Sequence, residues 1–507
     1  MGGPTEPGSV ADVIVVGGGT SGAVLAARLS EDPDRRVLLL EQGPDDRHYD
    51  ASVLRPAAAG DVWAGTPFAR PYPMSAGADR TVQMVRGRVL GGTSAVNYLA
   101  TMRGQPADYD AWAARGLDGW GWPDILATFR AMERDLDFGA GELHGSDGPL
   151  VVRRSPETEQ TESHRAFQAG LRALDVPWTD DVNDPRTLPG VGIFPLTTSE
   201  DGTERLTVSR AYLTDEARAR PNLTITTGVT AARIDVEDGR ATRVITTSGA
   251  SYTAAEIIVS CGATGSPALL QRSGIGPKAL LDGLGIPVAL DLPGVGENLQ
   301  DHLGIALLYV HPDGTPLRGG PVQPVWVGRT PQSDTIDFHV LNLPIGEPGE
   351  HGTHFSVVPF LLDVTGRGRV AIAGPDPDAE PSVTMPALTD HDLARMDWLL
   401  NRIAELETTA PFTTLGAQRI HPTADLAAPN PAADLVGTGL ISYGHLGGTC
   451  AMGPDGDPRA VLDARCRVRG IPNLRVVDAS AMPVLPAGNT YLGCVMMAER
   501  AAALIAK

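Results

Sequence analysis

The chain has 507 residues, 42% hydrophobic and 20% charged, a balance that excludes a disordered protein and allows a sizeable core. Asp and Glu number 61 against 41 Lys and Arg, and the resulting charge of −20 argues against nucleic acid or an anionic membrane surface as partner. Residues 1–11 lack the basic and apolar regions of a signal peptide, no apolar run reaches the ~20 residues of a membrane span, and the four cysteines form no CxxC pair, so cytoplasmic residence is the default expectation.

Residues 12–16 (Asp-Val-Ile-Val-Val) form a β-branched run with the composition of a strand buried on both faces. A glycine-rich turn, Gly17-Gly18-Gly19-Thr20-Ser21-Gly22, leads into a helical stretch at 23–29, and 36–41 reads as a second strand. Strand, turn, helix and strand predict a βαβ unit on a parallel sheet. Residues 50–110 show little periodicity and predict a long irregular excursion, and 122–135 predicts an amphipathic helix. Segments 222–234 and 241–246 are strand-like, with turns at Gly228 and Asp238-Gly239, and 257–262 predicts a buried strand returning to the first sheet. Between 300 and 430 the short alternating runs 335–340 and 369–372 predict an antiparallel sheet with one face covered. A long helix is expected at 390–408, then a strand at 474–478 and a helix at 493–505. The expected fold is α/β plus α+β: a Rossmann-like lobe assembled from 1–150, 206–300 and 436–507, and a second lobe from 151–205 and 301–435 built on an antiparallel sheet covered by helices.

Gly17, Gly19 and Gly22 make a GxGxxG pattern in the strand–turn–helix context that gives it meaning. Gly17 permits the tight turn, Gly19 lets the backbone approach a pyrophosphate, and Gly22 lets helix and strand pack closely. Thr20 and Ser21 stand at the helix N-terminus, whose N–H groups and dipole favour phosphate. Glu41 ends the second strand 22 positions after Gly19, near the ~20 expected for a carboxylate on a ribose hydroxyl. This identifies an adenine-dinucleotide site without separating NAD from FAD, although its place so early in the chain favours FAD.

Four blocks resemble the glucose–methanol–choline (GMC) oxidoreductases. They are Arg86-Gly87-Arg88-Val89-Leu90-Gly91-Gly92-Thr93-Ser94-Ala95-Val96-Asn97, the run from Gly262 to Gly276, Tyr443-Gly444-His445-Leu446-Gly447-Gly448-Thr449-Cys450, and Val477-Asp478-Ala479-Ser480 through Asn489-Thr490. The resemblance implies tightly bound FAD, with Gly17, Gly19, Gly22 and Glu41 on its ADP half and Val229 facing the adenine. It places Gly91, Thr93, Ser94 and Asn97 beside the isoalloxazine, and Asp478 and Ala479 near its ribityl and pyrimidine side. Val96 occupies the position where some relatives carry a flavin-linked histidine, so the FAD is expected to be non-covalent.

Alcohol oxidation removes a proton from oxygen and a hydride from the adjacent carbon, and flavin supplies no base for the proton. Histidine suits that task, because its unperturbed pKa of ~6.5 lies near working pH. The resemblance puts the base at His445 and its His-or-Asn companion at Asn489, for which an Asx turn after Pro486-Ala487-Gly488 is the plainer alternative. It implies an FAD-dependent oxidation of a CH–OH donor, with O2 or another acceptor reoxidising the flavin. The alternatives are a dehydrogenase passing electrons to a quinone or protein, and a flavin-containing lyase of the same family. Bacterial primary- and aryl-alcohol oxidases share the run Glu133-Arg134-Asp135 and the segment from Leu143 to Pro149, whereas residues 305–360 look shortened, which leaves a more open pocket or one completed by a partner chain in a homo-oligomer.

No metal is expected: His351-Gly352-Thr353-His354 lacks a supporting carboxylate and reads as a loop. Neither Ser94 nor Ser266 sits in a G-x-S-x-G elbow, so serine hydrolysis is unsupported. Trp63, Phe68, Tyr98, Phe355 and Tyr491 are candidates to line the substrate pocket or to fill the core.

Overall fold

A computed structural model describes residues 10–56, 66–77, 80–311, 323–349 and 352–506. The β-branched run found in the sequence is the strand Val10–Val16, which pairs in parallel with Val37–Glu41 on one side and Ser251–Val259 on the other. Leu223–Thr227 continues the parallel run beyond Val37–Glu41, and Leu474–Val476 joins the C-terminal half of Ser251–Val259. An antiparallel pair, Ala231–Glu237 and Arg240–Thr246, completes a seven-stranded sheet. Helices Thr20–Leu29 and Thr490–Ile505 pack together, tied by Ser21 Oγ donating to Cys494 O at 3.1 Å and by the Arg28–Glu499 ion pair. The parallel strands all end on one side of the sheet, and a ligand crevice is expected outside those ends.

The second sheet is eight-stranded and antiparallel, running Gln418–His421, Leu307–His311, Gly352–Leu361, Phe338–Gly349, Pro324–Gly328 and Gly190–Ile193, with Leu303–Ile305 and Leu440–Ser442 joined to it. Its alternation sorts two faces. Trp326, Val340 and Val357 pack beneath the helices Glu162–Ala173 and Asp390–Thr408. Val325, Val327, Leu341 and Val358 face the other way, against Leu99, Met102 and Phe194. Thr389 opens the long helix with a reciprocal cap to Asp392, which fixes its start at the expected residue.

Three expectations need correction. The excursion at 50–110 contains a hairpin, Ala69–Ser75 with Thr81–Gly87, and the helix Pro106–Ala114. The first strand of the hairpin holds Pro71 and Pro73, and its outer edge is paired only at Ser75, so the prolines forfeit no ladder bond on it. The helix expected at 122–135 stops at Met132, and Glu133–Asp135 is a short strand. Tertiary charge overrides helical periodicity at this point. His144 donates Nδ1–H toward Glu133 and Asp135, each at 3.0 Å, and Nε2–H to Asp181 at 2.8 Å, while Arg103 pairs with Glu133 and Arg154 with Asp135 and Asp181. These three carboxylates raise the His144 pKa to about 10 against the burial that opposes its charge. Finally, His354 lies on the strand Gly352–Leu361 opposite Val310, not in a loop; His351 lies outside the described residues.

Candidate functional site

The turn between the first strand and helix is built on contacts only glycine allows. Gly17 has φ +99°, and a Cβ there would lie 2.5 Å from Ser260 O. A Cβ on Gly22 would lie 1.8 Å from Gly17 O, so helix and strand approach backbone to backbone. At Gly19 an added Cβ meets only Gly92 Cα, at 3.8 Å, leaving that face of the turn open. Glu41 closes the turn, accepting from Gly18 N–H and Gly43 N–H at 2.7 Å each, and burial pushes its carboxyl up to about 7. Val229 is held beside it by its N–H donating to Glu41 O at 2.9 Å.

The Gly91–Asn97 loop docks directly on this turn. Gly91 N–H donates to Gly18 O at 2.7 Å, and a Cβ on Gly92 would sit 2.6 Å from Gly19 Cα. Ser94 Oγ donates to Gly91 O at 2.6 Å and accepts from Val208 N–H at 3.1 Å, so this hydroxyl braces the loop. Asn97 Oδ1 accepts from buried Arg205 at 2.8 Å. Asp478 is likewise absorbed by the protein: Oδ2 accepts from Gly262 N–H at 2.8 Å and Ser266 Oγ at 2.5 Å, and Oδ1 from Ser480 N–H at 2.8 Å. It ties the last parallel strand to the N-terminus of helix Gly262–Arg272, and Ala479 follows with its carbonyl accepting from Gly448 N–H at 3.0 Å.

One cavity of about 290 Å³ runs along this whole surface, from Glu41 and Val229 past Gly17, Gly19, Thr20, Ser21, Asp478 and Ala479 to Thr93, Ser94 and Asn97. Its far end carries His445 and Asn489. The bare backbone at Gly19 and the empty space around a Cβ on Gly262 suit a dinucleotide lying against main chain. Gly22 and Gly91, of the expected dinucleotide residues, stand behind the wall, where the first seats the helix and the second anchors the loop. Val96 lines the cavity without any group able to bond covalently to flavin.

His445 and Asn489 are 44 positions apart and meet through a hydrogen bond of 3.2 Å between Asn489 Nδ2 and His445 Nε2. The amide is the donor, so Nε2 carries a lone pair and the proton of the neutral ring sits on Nδ1. Nδ1 lies 2.8 Å from Nδ1 of His302, which accepts. Burial, then the neighbouring His302, His339 and Arg86, hold the His445 pKa well below its usual 6.5. Asn489 does not cap the helix it precedes, and its Oδ1 has no hydrogen-bond partner among the described residues. The Asx-turn alternative therefore fails.

Several residues of this cluster were not singled out in the sequence. Asp301 Oδ1 accepts from His445 N–H at 3.0 Å while Oδ2 accepts from Ser442 Oγ, and burial pushes its carboxyl up to about 6. Tyr443 stacks on the His445 ring at 4.1 Å between centroids, and Arg86 Nη1 donates to Gly444 O at 2.9 Å. His302 and His339, both fully buried, are pushed down to about 3 and stay neutral. The adjacent carboxylate and imidazole of Asp301-His302, at the expected lobe boundary, were the available signal. Of the candidate aromatics, Tyr98 and Tyr491 line the cavity. Phe68 packs edge-on against Tyr49 and Phe355 stacks on Tyr309 in the core, while Trp63 lies outside the described residues.

Comparison with known proteins accords with this geometry. Residues 11–304 match the N-terminal and residues 364–498 the C-terminal profile of the GMC oxidoreductases. The chain is 35% identical to an oxygen-dependent choline dehydrogenase of Burkholderia thailandensis, over 98% of this chain and 94% of that protein. It is 33% identical to a 5-(hydroxymethyl)furfural oxidase of Methylovorus sp., over 97% and 98%. The solved pyridoxine 4-oxidase from Mesorbium loti superposes with a TM-score of 0.87 at 33% identity, covering 97% of this chain and 98% of that one. Among the described residues no helix is long and apolar enough to cross a membrane. The chain belongs to the GMC oxidoreductase family.

Proposed function

We propose that this FAD-dependent oxidoreductase oxidises a primary alcohol to its aldehyde, with His445 Nε2 taking the hydroxyl proton and Asn489 holding the substrate oxygen. The observation that carries this reading is the His445–Asn489 contact at the far end of the dinucleotide cavity. FAD supplies the hydride acceptor. The dinucleotide residues are Gly17, Gly19, Thr20, Ser21, Glu41 and Val229 on the ADP half, and Thr93, Ser94, Asn97, Asp478 and Ala479 on the flavin half, with Gly22 and Gly91 supporting them from behind the wall.

The remaining chemistry belongs to the protein. Neutral His445 offers a lone pair at Nε2 for the hydroxyl proton, and the Asn489 amide, whose Nδ2 lies 3.2 Å from that nitrogen, offers N–H to the oxygen that gives the proton up. When Nε2 gains a proton, positive charge spreads over the ring, and the Nδ1–H bond to His302 strengthens. Asp301 holds the backbone of His445, and Tyr443 lies flat against its ring, so the base cannot swing away from the substrate oxygen. The buried wall excludes bulk water, which strengthens each of these interactions. The names of the relatives, with choline, 5-(hydroxymethyl)furfural and pyridoxine as their compounds, support a hydroxymethyl group as the reacting end. Cytoplasmic residence is proposed on the four free thiols.

Anaerobic mixing with choline, 5-(hydroxymethyl)furfural, pyridoxine and a secondary alcohol tests this reading through the flavin absorbance. Bleaching by at least one primary alcohol is expected; an unbleached flavin with all of them would defeat it. Oxygen uptake against dye reduction with the best alcohol then separates an oxidase from a dehydrogenase.

A further inference from the structure

Asn489 follows a tight turn. Gly488 N–H donates to Pro486 O at 2.7 Å, and Asn489 precedes helix Thr490–Ile505 without bonding its backbone. The aim of its amide is therefore set by the backbone of residues 483–488. Gln300 grips the start of that segment, Nε2 donating to Pro483 O at 3.1 Å and Oε1 accepting from Leu485 N–H at 3.3 Å. Helix Pro106–Ala114, distant in sequence, grips the rest. Trp112 Nε1–H donates to Val484 O at 3.0 Å, and Asp108 Oδ2 accepts from Ala487 N–H at 2.7 Å. A Cβ on Gly488 would lie 2.4 Å from Gly104 N, so the turn rests directly on the residues leading into that helix.

Asp108 Oδ2 also accepts from Gln105 N–H at 2.7 Å, closing the first turn of its own helix. A local cap needs no burial. This carboxyl is nevertheless withdrawn from water far enough that its pKa rises to about 7, and none of the described residues pairs it with a cation. Half-buried beside the 483–488 segment, it also accepts the hydrogen bond from Ala487 N–H, two residues before Asn489.

We propose that Asp108 is a positioning residue for the reaction: by holding Ala487 N–H it aims the Asn489 amide at His445 Nε2. This rests on His445 and Asn489 being the acting pair. The test is a double-mutant cycle on the rate of anaerobic flavin reduction by the best alcohol of the panel, with flavin content and thermal midpoint recorded for each variant. Asp108→Ala is expected to slow reduction by about ten- to a hundredfold with FAD retained. Asp108→Asn, which keeps an acceptor oxygen, should recover most of that rate. In an Asn489→Ala background, Asp108→Ala should cost nothing further, because the group it aims is gone. Equal losses in the two backgrounds, or a wild-type rate in Asp108→Ala, would overturn the proposal while leaving the His445–Asn489 pair standing. A wild-type rate in Asn489→Ala would instead defeat the reading of the pair itself. If Asp108→Ala does not fold, Trp112→Phe removes the neighbouring hydrogen bond from the same helix and is expected to show the same non-additivity, with additivity again overturning the claim.

Discussion

At the scale of single residues, the fold keeps the buried His445 neutral. Burial and the proximity of His302, His339 and Arg86 all disfavour the imidazolium of His445. A base must be unprotonated to act, so activity is lost only as pH falls through this lowered value. The acidic limb of kcat/KM should therefore lie below pH 6.5, the ordinary histidine value. A pH profile with the best alcohol checks this; a limb above 6.5 would mean that another group, or a differently placed His445, controls the rate. His445 and Asn489 were legible only through resemblance, since neither carries a local signal beyond small neighbours. His302 was invisible for a different reason. It meets His445 across 143 positions, and no periodicity within either segment reports that contact.

At the scale of elements, legibility followed how much of an element's cause is local. The strand Val10–Val16, its glycine turn and the helix Asp390–Thr408 are dictated by composition, turn chemistry and caps, and their outlines could be read directly. Helix Pro106–Ala114 escaped notice because only Tyr109 and Trp112 are buried on it, too few to make a stripe. The hairpin Ala69–Ser75 with Thr81–Gly87 was hidden by its prolines, and the strand Glu133–Asp135 by an ion network formed with His144, Arg154 and Asp181. That network carries its own prediction. The His144 pKa is raised from 6.5 to about 10, so its stabilisation is fully present below pH 6.5 and is lost as pH climbs toward 10. Wild-type protein should lose urea resistance over that window more steeply than His144→Gln, and matching slopes would contradict the assignment of an imidazolium at the centre of the network.

At the scale of the molecule, the fold brings loops of two sheets to one crevice. The parallel sheet contributes the dinucleotide turn and the Asp478 strand end, while Asp301 and His302 lead into the antiparallel sheet. That one sheet gathers strands from both ends of the chain could be anticipated from the return of strand patterns at 257–262 and 474–478. The joining of the sheets through buried histidines could not. A cofactor spanning the crevice must link its own occupancy to global stability. Protein stripped of FAD should unfold at lower temperature, and free FAD at a hundred times its Kd should restore about 2.7 kcal/mol, read as a rise in the thermal midpoint. A midpoint insensitive to FAD would place the cofactor outside the folded core.

The proposed role of His445 as the base is tested most directly by stopped-flow flavin reduction by the best primary alcohol. Wild type is compared with His445→Ala at equal flavin content. His445→Ala should keep its FAD and be reduced about 10²- to 10⁴-fold more slowly. Reduction at the wild-type rate would contradict the role.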